Sequence, residues 1–314
     1  MIFDISFDSG ADLRQLQALV SYAEKGGLNS VWFTHDILNY NSWVICGALS
    51  ILSSRLMLGP SIVNPFSSSV QEIAMASVTL DTLSGGRAAL GIGPGAKKML
   101  QMAGISQTST FKRLDDAISY LRAALRPDTE LLQMKPSKKI PIYLGCQSPA
   151  LLQAIGKWNI GGLPLLTPPA FATMALSHID KGFRDSGNAL KKDKIVATIL
   201  TSLAKDEGAA RKYFANFIAA VIDHLSKVQL EAYGFTEGKI AEMKCLYSEK
   251  GWESVPDEFF TLGAVGVEGC IKTIEKLEKE GFERVKISSP LGPDKFEATR
   301  ILVDEIIPAI TPVR

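Results

Sequence analysis

The sequence predicts an α/β fold: a closed (β/α)8 TIM barrel. Two observations lead there. Short β-rich runs alternate with longer stretches of helical apolar spacing about eight times along the chain. No shift in composition divides the 314 residues. Parallel strands need crossover connections, and the helix-length segments between the runs supply them. An open doubly wound sheet also fits the alternation; a count near eight favours the barrel.

The β-rich runs are 2–7, 30–34, 56–63, 88–92, 140–144, 162–167, 195–203 and 284–288. After the first, Leu13, Leu16, Leu19, Val20 and Ala23 recur at helical spacing and make one apolar face. Before the last, Ile271, Ile274, Leu277 and Glu278 lead into Gly281, a helix stop. Between Asp206 and Pro256 the helical pattern (213–225, 230–235, 239–246) is longer than one crossover. The reading is one barrel domain over 1–314 with a helical insertion at about 206–256, serving as a lid, a subunit contact or a decorated connection.

Composition bounds the function. The chain has 34 Lys+Arg against 33 Asp+Glu, a net charge of +1, which argues against a nucleic-acid groove or a polybasic membrane patch. Hydrophobic residues at 46% and charged residues at 21% suit a sizeable core. No window approaches about 18 uninterrupted apolar residues, so no membrane span is expected. The opening MIFDISF lacks the basic start of a signal peptide. Cys46, Cys146, Cys245 and Cys270 are widely spaced, and His35, His178 and His224 form no HExxH pair. Disulfides and metal sites are therefore not expected, and a reducing cytoplasm is the default location.

The most distinctive segment runs from Gly85-Gly86-Arg87 through Gly91, Gly93, Pro94 and Gly95. Alternating glycines at a strand end let the backbone approach a flat or phosphorylated ligand; a tight turn is the bland alternative. As a dinucleotide fingerprint it fails. Pro94 interrupts it, Ala96 stands at the third glycine, and Phe111 sits where an acidic residue is needed. Gly145-Cys146-Gln147-Ser148-Pro149 follows the fifth run. Ser148 is a good N-cap and Pro149 a good first helical residue, so the free N–H groups there suit a phosphate. Thr34-His35-Asp36 ends the second run and offers a proton-moving or polar-binding pair, or simply a helix start. Asn64-Pro65 and Ser67-Ser68-Ser69 follow the third and read as ligand hydroxyls or turn chemistry. Cys146 has no histidine partner in sequence and is not read as a nucleophile.

Together these segments resemble the luciferase-like flavin and deazaflavin oxidoreductases, and most of all the archaeal methylenetetrahydromethanopterin reductases. The resemblance covers nearly the whole chain, from Ile2 to Ile307, and is carried by residues 80–95, 142–149 and 287–293. It implies a barrel of the bacterial-luciferase-like type, a homodimer or larger homo-oligomer, and coenzyme F-420, with FMN as the alternative. It implies hydride transfer between the deazaflavin and a pterin-like one-carbon substrate. It also implies a non-prolyl cis peptide between Ser61 and Ile62 behind the cofactor ring. By the same carry-over, His35 and Asp36 lie near the ring as the catalytic residues. Gly93 and Gly95 allow close approach, Gly145, Cys146, Gln147 and Ser148 meet the coenzyme side chain, and Leu166 and Thr167 end the sixth strand at the same mouth.

The chain departs from the reductases at four places. Ser6 stands where they carry an acid in the first strand, and Ala96 where they carry one after the glycine turn. The order Thr34-His35-Asp36 replaces Thr-Asp-His, and Ser68-Ser69-Val70 replaces a basic or His-Pro element. These changes suggest a different substrate or loss of the parent reaction. Besides the F-420-dependent reductase, two readings stay open: an FMN-dependent monooxygenase, and a non-catalytic paralogue that binds a cofactor.

Overall fold

The structure is a computed structural model that describes residues 1–8, 12, 14–164, 169–225, 230–231 and 234–311. Nine strands appear among these residues: β1 (Ile2–Phe7), β2 (Ser30–Phe33), β3 (Met57–Pro60), β4 (Leu90–Ile92), β5 (Ile142–Cys146), β6 (Gly161–Pro164), β7 (Val196–Ser202), β8 (Ala264–Val265) and β9 (Arg284–Leu291). All pairings are parallel. One sheet runs β3-β2-β1-β9-β7-β8 and the other β4-β5-β6. Bridges Leu58–Ala88 and Val63–Ile92 join β3 to β4, and Gly162–Ile195 joins β6 to β7. Neighbours thus follow one another from β1 to β7, pass to β9 and return to β1. This is the expected TIM barrel, with two seams made of bridges rather than long ladders.

The strands correspond to the eight β-rich runs, shifted by one or a few residues at their ends. The short β8 is additional: two residues that pair only with Thr201 and Ser202 are below what periodicity can detect. Residues 165–168, the second part of the sixth run, lie outside the described residues.

The helices are α1 (Leu16–Lys25), α2 (Ser42–Ser50), α3 (Val70–Ser84), α4 (Lys97–Met102), α5 (Thr110–Ala124), α6 (Pro149–Lys157), α7 (Pro169–Asp185), α8 (Glu207–Val221), α9 (Glu237–Lys250), α10 (Gly266–Lys279), α11 (Lys295–Ile301) and α12 (Ile307–Ile310). Leu16, Leu19, Val20 and Ala23 are buried, as the α1 spacing requires. Cys270, Ile274 and Leu277 are the buried face of α10. No described helix is long and apolar enough to cross a membrane.

Between β7 and β8, α8 and α9 carry their own apolar cluster, including Phe214, Ile218, Met243, Val255 and Phe259. Phe235 stacks on Phe259 with ring centroids 4.5 Å apart. Leu200 of β7 and Val265 of β8 pack against this cluster and anchor it to the barrel.

The Gly85-Gly86-Arg87 segment has structural work. The Arg87 guanidinium donates to Ser53 Oγ and to the carbonyls of Ser50, Ser53, Leu56 and Ser84 at 2.7–2.8 Å. These bonds tie the start of β4 to the loop entering β3. The hydroxyls of the third loop do likewise. Ser67 donates to Asn64 Oδ1, and Ser69 forms a capping box with Glu72 at the start of α3.

The barrel interior is polar at one level and aromatic around it. Register places Asp4 beside Ser30 on β2 and Lys286 on β9. Arg284 meets Asp4 through two hydrogen bonds of 3.0 and 3.2 Å; their side chains are 3% and 0% exposed. Trp32 Nε1 and Asn29 Nδ2 also donate to Asp4, and Arg284 reaches Ser30 Oγ and the Tyr143 hydroxyl. Trp32 and Tyr143 meet edge to face at 5.4 Å.

Candidate active site at the barrel mouth

The C-terminal ends of parallel barrel strands leave the loops that bind ligands. Here β2, β3, β4 and β5 end around one cavity of about 450 Å³. Thr34, His35, Asp36 and Ile37 come from the loop after β2. Ser61, Ile62 and Asn64 follow β3, and Pro94, Gly95, Ala96 and Met99 follow β4. Gly145, Cys146, Gln147, Ser148 and Leu151 complete it from β5 and α6. A larger cleft, about 640 Å³ between Leu225 and Ile240, belongs to the helical connection and not to the strand ends.

The sequence-predicted residues largely meet here. His35, Asp36, Ser61, Ile62, Gly95, Gly145, Cys146, Gln147 and Ser148 all line the cavity. Gly93 lies directly behind it. Leu166 and Thr167 fall outside the described residues. Ser67, Ser68 and Ser69 do not line the cavity, because the turn and helix cap use the first and last of them.

The Ser61–Ile62 peptide is cis. The Ile62 side chain lies across the ends of β4 and β5. A Cβ on Gly93 would stand 2.2 Å from Ile62 Cδ1 and 2.5 Å from the Gly145 carbonyl oxygen. One on Gly145 would stand 2.7 Å from Ile62 Cγ2. Only glycine fits at these two strand ends, and Ile62, Gly145 and Cys146 line the cavity there as an apolar wall. Gly95 has φ +73°, and Gln107 Nε2 holds its turn by donating to the Pro94 carbonyl at 2.6 Å.

Polar groups edge this wall. His35 Nδ1 and Ser42 Oγ share a hydrogen bond of 2.8 Å, which sets the ring's orientation. Burial holds the His35 pKa below the usual imidazole value, partly opposed by the Asp36 carboxylate. Near neutral pH this imidazole is mostly uncharged. Thr34 Oγ1 has no hydrogen-bond partner among the described residues. Ser148 occupies the N-cap position of α6, with Pro149 first in the helix, yet its side chain makes no capping bond. The expected cap is thus positional only. Burial pushes the Cys146 thiol up and keeps it protonated, which suits a wall residue and not a nucleophile.

The family model of the luciferase-like monooxygenases matches residues 4–284. The chain belongs to the luciferase-like monooxygenase family. Among its relatives, the 5,10-methylenetetrahydromethanopterin reductase of Archaeoglobus fulgidus is 28% identical, over 99% of this chain and 100% of the relative. The enzyme of the same name from Methanopyrus kandleri is 24% identical, over 92% of this chain and 93% of the relative. Two solved structures share the fold. The coenzyme F-420-dependent tetrahydromethanopterin reductase from Methanopyrus kandleri superposes with a TM-score of 0.85 at 23% identity, covering 99% of each chain. An F-420-dependent secondary alcohol dehydrogenase in complex with an F-420–acetone adduct gives 0.77 at 17% identity, covering 98% of each.

In this member of the luciferase-like family, the two positions where the sequence lacks expected acids are also placed. Ser6 is fully buried inside the barrel and its hydroxyl has no partner among the described residues. Ala96 lines the cavity and opens α4. Met99, Leu151, Gln107 and Ser42 were not legible as site residues. Ser42, Met99 and Leu151 are brought to the mouth by α2, α4 and α6, and Gln107 by the loop between α4 and α5, and no local motif marks any of them. Lys286 was also missed, although a signal existed. Arg284, Lys286 and Ser288 alternate with the apolar Val285 and Ile287 in the first part of the strand, which marks the inward face of a buried strand. Among the described residues, no cluster of His, Cys, Asp or Glu is placed to hold a metal.

Proposed function

We propose that this chain is a coenzyme F-420-dependent oxidoreductase, transferring a hydride between the deazaflavin and a pterin-type one-carbon substrate. The observation that carries the reading is the wall at the ends of β4 and β5. There Gly93, Gly145 and Ile62 interlock so closely that no Cβ fits, leaving a flat apolar face for a planar ring. The full-length similarity to the named reductases supports the choice of ring and substrate class.

The deazaflavin supplies the hydride chemistry when bound. The protein binds and orients it. Ile62 and Cys146 exclude water from one face. His35, oriented by Ser42, and Asp36 hold polar atoms at the ring edge. Gln147, Ser148 and the N–H groups opening α6 would hold the coenzyme's anionic tail, where the helix dipole favours negative charge. The non-catalytic reading is favoured by Ser6 and Ala96, which leave both expected carboxylate positions without acid-base capacity.

A parallel titration with F-420 and FMN, followed by fluorescence and thermal melting, tests the function. F-420 at 100 times its Kd is expected to add about 2.7 kcal/mol to stability, with no FMN effect. FMN binding alone would move the chain to the monooxygenase branch, and binding of neither would favour a protein without the cofactor. Turnover with a pterin substrate separates reductase from binder.

We also propose a homo-oligomer, in a reducing compartment that leaves all four cysteines free. Val44 (71% exposed), Ile51, Met75 and Leu83 are exposed apolar side chains on the outer face of α2 and α3, two helices that pack together, or just after α2. Such a face suits a second copy of the chain. Light scattering is expected to give at least twice the 34.0 kDa chain mass, and Leu83→Glu to lower it.

A further inference from the structure

The wall and rim of the cavity leave one group unused: the lysine beneath its floor. Lys286 is 1% exposed, and its Nζ lies 2.6 Å from Ser61 Oγ. Ser61 lines the cavity. Ser61 therefore stands between the barrel interior and the cavity.

The two charge states of Lys286 treat that hydroxyl oppositely. An ammonium can only donate, so it uses a Ser61 lone pair and leaves the Ser61 proton for the ligand. A neutral amine carries a lone pair and draws the Ser61 proton to itself, leaving the ligand only the serine's lone pairs. We infer that Lys286 is a positioning residue that, through Ser61, makes the cavity floor select a ligand presenting a hydrogen-bond acceptor, such as a ring carbonyl, while Lys286 is charged.

The surroundings poise that charge. Burial lowers the Lys286 pKa most. Asp4, its register neighbour on β1, opposes that effect, and Arg284 on its own strand adds to it. Tyr143 of β5 is hydrogen-bonded to Arg284. The neighbours from β2, the segment after β3, and β7 are Trp32, Ser61 and Thr198, none of which titrates near neutrality. The result is a pKa brought down to about 7. A ligand that needs the ammonium loses affinity as pH rises through this value. His35, the cavity's imidazole, titrates on the acid side of its ordinary value and so below this step.

The inference rests on the proposed function for its probe. Wild type, Ser61→Ala and Lys286→Met are titrated with F-420 and with FMN between about pH 6 and pH 9, with melts to verify folding. Taking each Kd relative to that of Ser61→Ala at the same pH cancels the coenzyme's own ionisation. The wild-type ratio is expected to rise roughly tenfold between pH 7 and 8.5. Lys286→Met is expected to stay level; if it does not fold, Ser61→Ala decides alone. A level wild-type ratio with tight F-420 binding overturns the inference and leaves the proposed function standing. A rising ratio with FMN alone upholds the inference and overturns the choice of F-420. Binding of neither ligand at any pH overturns both.

Discussion

Replacing Asp4 with Asn is expected to lower the free energy of unfolding by about 3–5 kcal/mol, because it strands the Arg284 charge inside the barrel. Asp4 is fully buried and is the acceptor for Arg284, Trp32 and Asn29 together. An amide can accept some of those bonds but cannot balance a guanidinium that is 3% exposed. The double change Asp4→Leu with Arg284→Met should recover most of the loss, since two apolar side chains replace a desolvated pair. Urea unfolding of the single and double variants measures both. A single-variant loss below about 1 kcal/mol would mean that the interior is reached by water and that the pair is not truly desolvated.

Gly93→Ala is expected to weaken F-420 binding at least 100-fold, about 2.7 kcal/mol, while the protein still folds. The new methyl would lie 2.5 Å from the Gly145 carbonyl and 2.2 Å from Ile62 Cδ1. Ile62 must swing away and the Gly145 strand end must shift, because its backbone carbonyl stands in the same space, so the wall is lost. Overpacking of this kind costs about 1–3 kcal/mol in stability. Gly269→Ala is the control: it lies in α10 and its Cβ meets nothing within 4 Å. It should bind coenzyme like wild type and gain slightly in helix stability. Fluorescence titration of both variants decides the matter. Unchanged binding in Gly93→Ala would show that the ring does not lie against this wall.

Much of this was legible because the signals were local. Alternating runs and helical faces reported the barrel, since each strand and helix must bury its own stripe. Gly93 and Gly145 stood out because a strand rarely ends on glycine without a close approach. Thr34-His35-Asp36 and Gly145–Ser148 were placed at one mouth because parallel strands put all their C-terminal ends on one side. The reading of Ser67–Ser69 as ligand groups was weaker, since Asn64 and Glu72, a few residues away, already complete the turn and cap.

What the sequence alone determined is the barrel, the family resemblance and which strand-end segments meet at one mouth. All three follow from periodicity and from short motifs whose parts are adjacent in the chain. What only the tertiary structure decided is which distant side chains share a charge or a hydrogen bond. Asp4 and Arg284 are 280 residues apart, and Lys286 and Ser61 are 225 apart. Their meeting depends on barrel register, and a shift of one residue would turn each to the other face of its strand. Alternation along the last strand marks Arg284 and Lys286 as inward-facing, but no local pattern names their partners, so neither the Asp4 ion pair nor the Ser61 contact could be read before the strands were closed into a ring.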